Sequence, residues 1–149
     1  YMHLYILNML ILRGAQDMRA IVTTDIEMFS KKLASIIEKK SKEKTKGLHR
    51  IRGSVDVTFD DPEKRDSGTL KLVGCYSLMK GFPFKKVYYF DISFNFKRTS
   101  EGFLLELNDM KSYTISKGVV SITNVKPPEE LLSFVREDLS EAGAKVISS

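Results

Sequence analysis

Tryptophan is absent, cysteine occurs once and histidine twice in 149 residues. These scarcities exclude a good deal of chemistry. Nucleophilic catalysis needs a nucleophile beside a base. Of the two histidines, His3 stands near the start of the sequence and His49 stands among Lys46, Arg50 and Arg52. Both read as surface or interface residues. A structural zinc site takes four ligands at local spacings, which one cysteine and two distant histidines do not supply. Neither G-x-x-x-x-G-K-[ST] nor G-x-G-x-x-G occurs, so no phosphate-cradling loop is written. The acidic stretch DDPEKRD departs from calcium-loop spacing and is broken by Pro62, so it reads as a solvated hairpin loop. The expectation is a non-enzymatic protein without cofactor or metal.

Long apolar runs are missing too. MHLYILNMLIL, residues 2–12, has eleven residues, whereas a membrane helix needs about 20. No integral membrane span is therefore expected. The run has the length of a signal-peptide core, but no basic region precedes it and RGAQDMRA offers no clean small-residue cleavage site. It reads as a strand or buried segment, with residues 1–17 either an extension or an oligomer-forming strand of a single 1–149 domain. The lone Cys75 cannot form an intrachain disulfide, and it reads as a small, inert sheet residue.

What is abundant is charge, and it is unevenly placed. The chain carries +5 overall. Residues 31–52 hold nine Lys or Arg against Glu38 and Glu43, a surplus of seven, so the rest of the chain is at −2. Residues 129–141 hold five carboxylates against Arg136 alone. A charge confined to one place favours a local patch or a solvated helix face. Lys39, Lys40, Lys42, Lys44, Lys46, Arg50 and Arg52 are the candidate polyanion-binding residues. Cations suit a helix C-terminus, but that influence fades within the last turn, which leaves part of the run unexplained by the dipole.

Hydrophobic spacing predicts the architecture. Ile26, Phe29, Leu33, Ile36 and Ile37 form one stripe of a helix over 25–44, with Thr24 and Glu27 in capping-box spacing and Gly47 ending it. Beyond Gly47 the period changes to two, through Val55, Val57 and Phe59, then Leu70, Leu72 and Tyr76, with Gly74 a bulge or close backbone approach. VYYFDISFNFK, FLLELNDMKSYTI and VVSITNV follow, separated by turns. Leu131, Val135, Leu139 and Ala142 define a second helix over 128–142, with Pro128 at its start and Gly143 past its end, and AKVIS adds a last short strand. The fold class is α+β: an antiparallel sheet of five to seven strands, a meander, with two amphipathic helices packed on one face.

In VYYFDISFNFK, strand alternation puts Tyr88, Phe90, Ile92, Phe94 and Phe96 on one face. That face packs a core, or, if the sheet curls around its helix, Phe90, Phe94 and Phe96 line an apolar pocket. KGFPFKKV shares Lys80, Gly81, Phe82 and Phe84 with a base-stacking motif of RNA-recognition domains. Pro83 stands where that motif needs Gly or Ala, and no helix separates the later strands, so that fold is not expected. Leu72 to Cys75 match the bacterial lipidation pattern L-x-G-C, but mid-strand rather than after an apolar leader.

The order of a helix followed by GTLKLVGCYSL, YYFDISFNFK and GFLLELNDMKSY resembles small bacterial envelope lipoprotein domains with a TATA-binding-protein-like fold, over residues 25–113. The resemblance implies a helix crossing a curved antiparallel sheet, no catalytic role, and an envelope location, with the cytoplasm as the alternative compartment. It transfers no functional residue. The leading expectation is an interaction or assembly domain that binds a protein partner or itself. The alternatives are an apolar-ligand carrier and a nucleic-acid binder using residues 31–52.

Overall fold

The computed structural model describes residues 18–43, 47–78, 86–115 and 121–147. The apolar run 2–12, the KGFPF connection and the basic positions Lys44 and Lys46 lie outside the described residues. The elements are β1 (Arg19–Val22), α1 (Ile26–Ser41), β2 (Leu48–Phe59), β3 (Ser67–Leu78), β4 (Val87–Thr99), β5 (Gly102–Ile115), β6 (Ile122–Val125), α2 (Glu129–Glu141) and β7 (Lys145–Ile147). Seven antiparallel strands run in the order β2-β3-β4-β5-β1-β7, and β6 also pairs with β5. The α+β class and its two amphipathic helices are as expected.

The sheet is more than a meander. β2 to β5 follow one another hairpin by hairpin, but β5 then lends its far edge to two strands. Phe103 to Glu106 pair with β1, and Ser112 to Ile115 pair with β6. β1 was hidden in the sequence because AIVTT reads as the approach to the helix, and its four residues are too few to show a period. Bulges interrupt the ladders between Arg50 and Arg52 in β2 and opposite Ser93/Phe94 in β5.

Helix α1 buries Ile26, Phe29, Leu33 and Ile37 against the sheet. Its N-cap is Asp25, with no side-chain cap hydrogen bond, so the Thr24/Glu27 capping box does not form. The helix ends at Ser41, short of the expected residue 44. Helix α2 buries Leu131, Val135 and Leu139, and it closes as the sequence predicts. Gly143 takes φ +104°, its N–H bonds Ser140 O at 3.1 Å, and Ala144 N–H bonds Leu139 O at 2.9 Å. That pair of bonds is a Schellman closure, which a residue without Cβ adopts at least cost.

The aromatic strand β4 faces the core. Phe90, Ile92, Phe94 and Phe96 are buried in one cluster with Phe29, Leu33, Leu70 and Leu72. Two of its rings lie over glycines of β3, since Phe90 is opposite Gly74 and Phe96 opposite Gly68. A Cβ on Gly74 would stand 2.9 Å from Phe90 Cζ and 2.8 Å from the Cα of Gly53. On Gly53, a Cβ would stand 2.7 Å from Ile37 Cγ2. The missing side chains thus let helix and ring approach the backbone, the second of the two roles expected for Gly74.

Candidate functional site

The described basic residues of the segment do not form one patch. Strand alternation would put Arg50 and Arg52 on the same face, but the bulge at Ile51 sends them to opposite ones. Arg50 is opposite Tyr76, on the helix side, and Arg52 is opposite Cys75, on the outer side. Helix-side Arg50 is buried and ion-paired through Nη1 with Asp138 Oδ2 of α2. Its guanidinium also lies 4.2 Å from the centre of the Phe134 ring, within cation–π range. Lys40 Nζ reaches Asp138 Oδ1 at 2.9 Å and Glu141 Oε1 at 2.8 Å. Two candidate cations are therefore spent inside the fold, holding the acidic helix to α1 and β2. Lys39 and Lys42 are exposed at the end of α1.

The signal for this network was present in the sequence as two complementary charge surpluses, residues 31–52 and 129–141. Nothing in periodicity joined them, because the contact spans 88 residues. Around the network an open cleft of about 470 Å³ is bordered by Lys39, Lys40 and Arg50 and by Glu43, Glu137 and Glu141. Its charges balance.

Phe90, Phe94 and Phe96 are all core residues. Between the sheet and the helices, Phe90, Ile37, Leu131 and Val135 border a void of about 20 Å³. That is room for about one water molecule. Tyr76, also in the core, stacks on Tyr88 at 5.4 Å, and its hydroxyl lies 2.5 Å from Ser112 Oγ. Ser112 Oγ in turn donates to Tyr89 O at 3.0 Å.

Two groups in this interior titrate abnormally, and they make stability depend on pH. Burial works against the charge of Lys40, but hydrogen bonds to Glu141 and Asp138, with their charges, outweigh it and raise its pKa above the ordinary 10.5. Burial raises Tyr76 above 10.0, against the pull of its bond to Ser112 and with a push from Tyr88. A pKa raised on folding gives stability that is complete below the unfolded value and lost as pH climbs through the folded one. The melting temperature should therefore fall from about pH 10 upward. Tyr76→Phe should flatten part of that fall. Parallel pH curves for the two proteins would show that Tyr76 is not involved.

The outer face of the sheet carries a second group of features. Tyr89 and Tyr113 stack at 5.6 Å with an interplanar angle of 17°. Together with Arg52, Ser54 and Val73 they border a shallow depression of about 400 Å³. Beside it run ion pairs Lys71–Asp91 and Lys111–Asp109, each at 3.4 Å. At the rim of this face lies β2, which with β7 is one of the two end strands of the described sheet, paired on one side by β3. After the bulge it continues regularly from Arg52 to Phe59. Arg52, Ser54, Asp56 and Thr58 are exposed along it, and Val55, Val57 and Phe59 are half-buried on the helix side. No helix among the described residues is long and apolar enough to cross a membrane. No family model matches this sequence, and no curated protein or solved structure matches it either.

Proposed function

We propose that this chain is a non-enzymatic interaction or assembly domain whose receiving element is the outer edge of β2. The observation that carries this reading is that, among the described residues, no strand pairs with the outer side of β2 from Arg52 to Phe59. An edge strand presents a row of backbone N–H and C=O groups without partners, and an extended segment of another polypeptide can pair with them. Natural sheets blunt such edges with bulges, charges or brevity. β2 has its bulge only near its start, and the remaining eight residues, RGSVDVTF, include the β-branched and aromatic types that favour strands. The aromatic core and the buried Arg50–Asp138 pair support the same reading from the other side, since they give the edge a rigid backing.

The experiment is position-specific crosslinking. A photoreactive residue replacing Thr58, on the exposed side of β2, should form adducts with polypeptide in cells that make the protein natively. The same residue replacing Asn95, exposed on central strand β4, should form few. Adducts from Asn95 alone, or adducts at Thr58 only with nucleic acid or lipid, would overturn the assignment.

A further inference from the structure

We infer that the partner of the β2 edge is the β2 edge of a second copy of this chain, running antiparallel and centred on Ser54. The inference rests on the reading of β2 as the receiving element. A two-fold pair centred on Ser54 sets that residue against its own copy, Arg52 against Asp56 of the second copy, and Asp56 against Arg52 of the second copy. Arg52 and Asp56 are both exposed on the outer face. Among the described residues neither has an ion-pair partner, whereas Lys71, Arg98 and Lys111 each reach a carboxylate at 3.4 Å. R-x-S-x-D is thus self-complementary about its middle residue. Opposite charges directly across an antiparallel pair attract, and like charges repel.

Other two-fold centres lose this match. Centring on Arg52 or Asp56 sets like charges against each other. Centring on Gly53 puts Arg52 against Ser54 and carries Asp56 to the bulge, while centring on Val55 leaves both charges opposite hydroxyls. The Ser54 register also suits the helix side, where Gly53 meets Val55 of the second copy. Val55 is half-buried in one chain, and Gly53 adds no side chain to oppose it. Outer positions meet outer positions, so both copies keep their helices on one side and the two seven-stranded sheets become continuous. The interface is isologous, each copy giving and receiving the same contacts, as a closed dimer requires.

Charge reversal tests the register directly. Sedimentation velocity on the full chain, from micromolar to near-millimolar concentration, should show a monomer–dimer equilibrium. Arg52→Glu and Asp56→Lys, each alone, convert both attractive pairs into repulsive ones and should weaken dimerisation about tenfold or more. An equimolar mixture of the two variants restores opposite charges at both pairs and should dimerise as the unsubstituted chain does. The Arg52→Glu/Asp56→Lys double variant should recover too. Both positions are exposed, so thermal melts of diluted protein serve as the folding control. A monomer at every concentration, single variants that dimerise undiminished, or a mixture no better than its components would each overturn the inference. If the chain is monomeric while Thr58 still crosslinks to a different polypeptide, the second copy falls and the β2 reading stands. Absence of both would sink both.

Discussion

Replacing Phe94 by alanine should destabilise the protein by about 3–5 kcal/mol, a loss made of transfer free energy and the cavity left behind. Phe94 is 0% exposed, in the middle of the sheet between Leu70 on β3 and Leu107 on β5. Close packing on both sides leaves little freedom for collapse into the space. Its neighbour Asn95 is exposed on the opposite face, and Asn95→Ala should stay within about 0.5 kcal/mol. Urea denaturation of the two variants checks the register of β4. Equal, small changes would mean that its side chains alternate the other way.

A second large effect is expected at Asp138. Its side chain is 4% exposed and that of Arg50 is 8% exposed, so Asp138→Ala leaves a guanidinium buried without its carboxylate. Breaking such a pair from one side costs about 3–5 kcal/mol, because desolvation of the remaining charge is no longer offset. Replacing both partners by apolar residues, Arg50→Met with Asp138→Leu, should recover most of that loss. The surface pair Arg65–Glu27, at 3.1 Å with both side chains about half exposed, is the comparison. Solvent screens it, and Arg65→Ala should cost about 0–1 kcal/mol. Should Asp138→Ala match Arg65→Ala, the buried pair contributes nothing special to the docking of α2.

The two helices and the main strands were legible in the sequence because each carries its own period. Phe29, Leu33 and Ile37 recur at helical spacing, Phe90, Phe94 and Phe96 at strand spacing, and Gly143 sits where a helix must close. What remained hidden is non-local. β1 is too short to show alternation, and its place between β5 and β7 follows from tertiary pairing alone. The fate of the lysine-rich segment depended on one bulge, at Ile51, which sends Arg50 inward to Asp138 and Arg52 outward. Composition could locate the two charged segments but could not bring them together. The self-complementarity of Arg52, Ser54 and Asp56 is written in the sequence. It gains meaning from the place of β2 at one end of the described sheet.

The pairing of β1 with β7, Arg19 opposite Ile147, has a consequence for the order of assembly. β2 to β5 pair in sequence order, each with the strand next to it in the chain. β7 can join only when nearly the whole described chain has been synthesised and α2 has brought it back across the sheet. Non-local pairings of this kind form slowly, because loop-closure entropy must be met before their contacts are gained. Asp138 arrives on that same late segment, so a nascent chain holds Arg50 without its counter-ion while the hairpins form. The docking of α2 is then both the neutralising step and the one that completes the sheet. A ribosome-bound intermediate lacking α2 and β7 should keep the β2–β5 ladders while remaining open to proteases at β1.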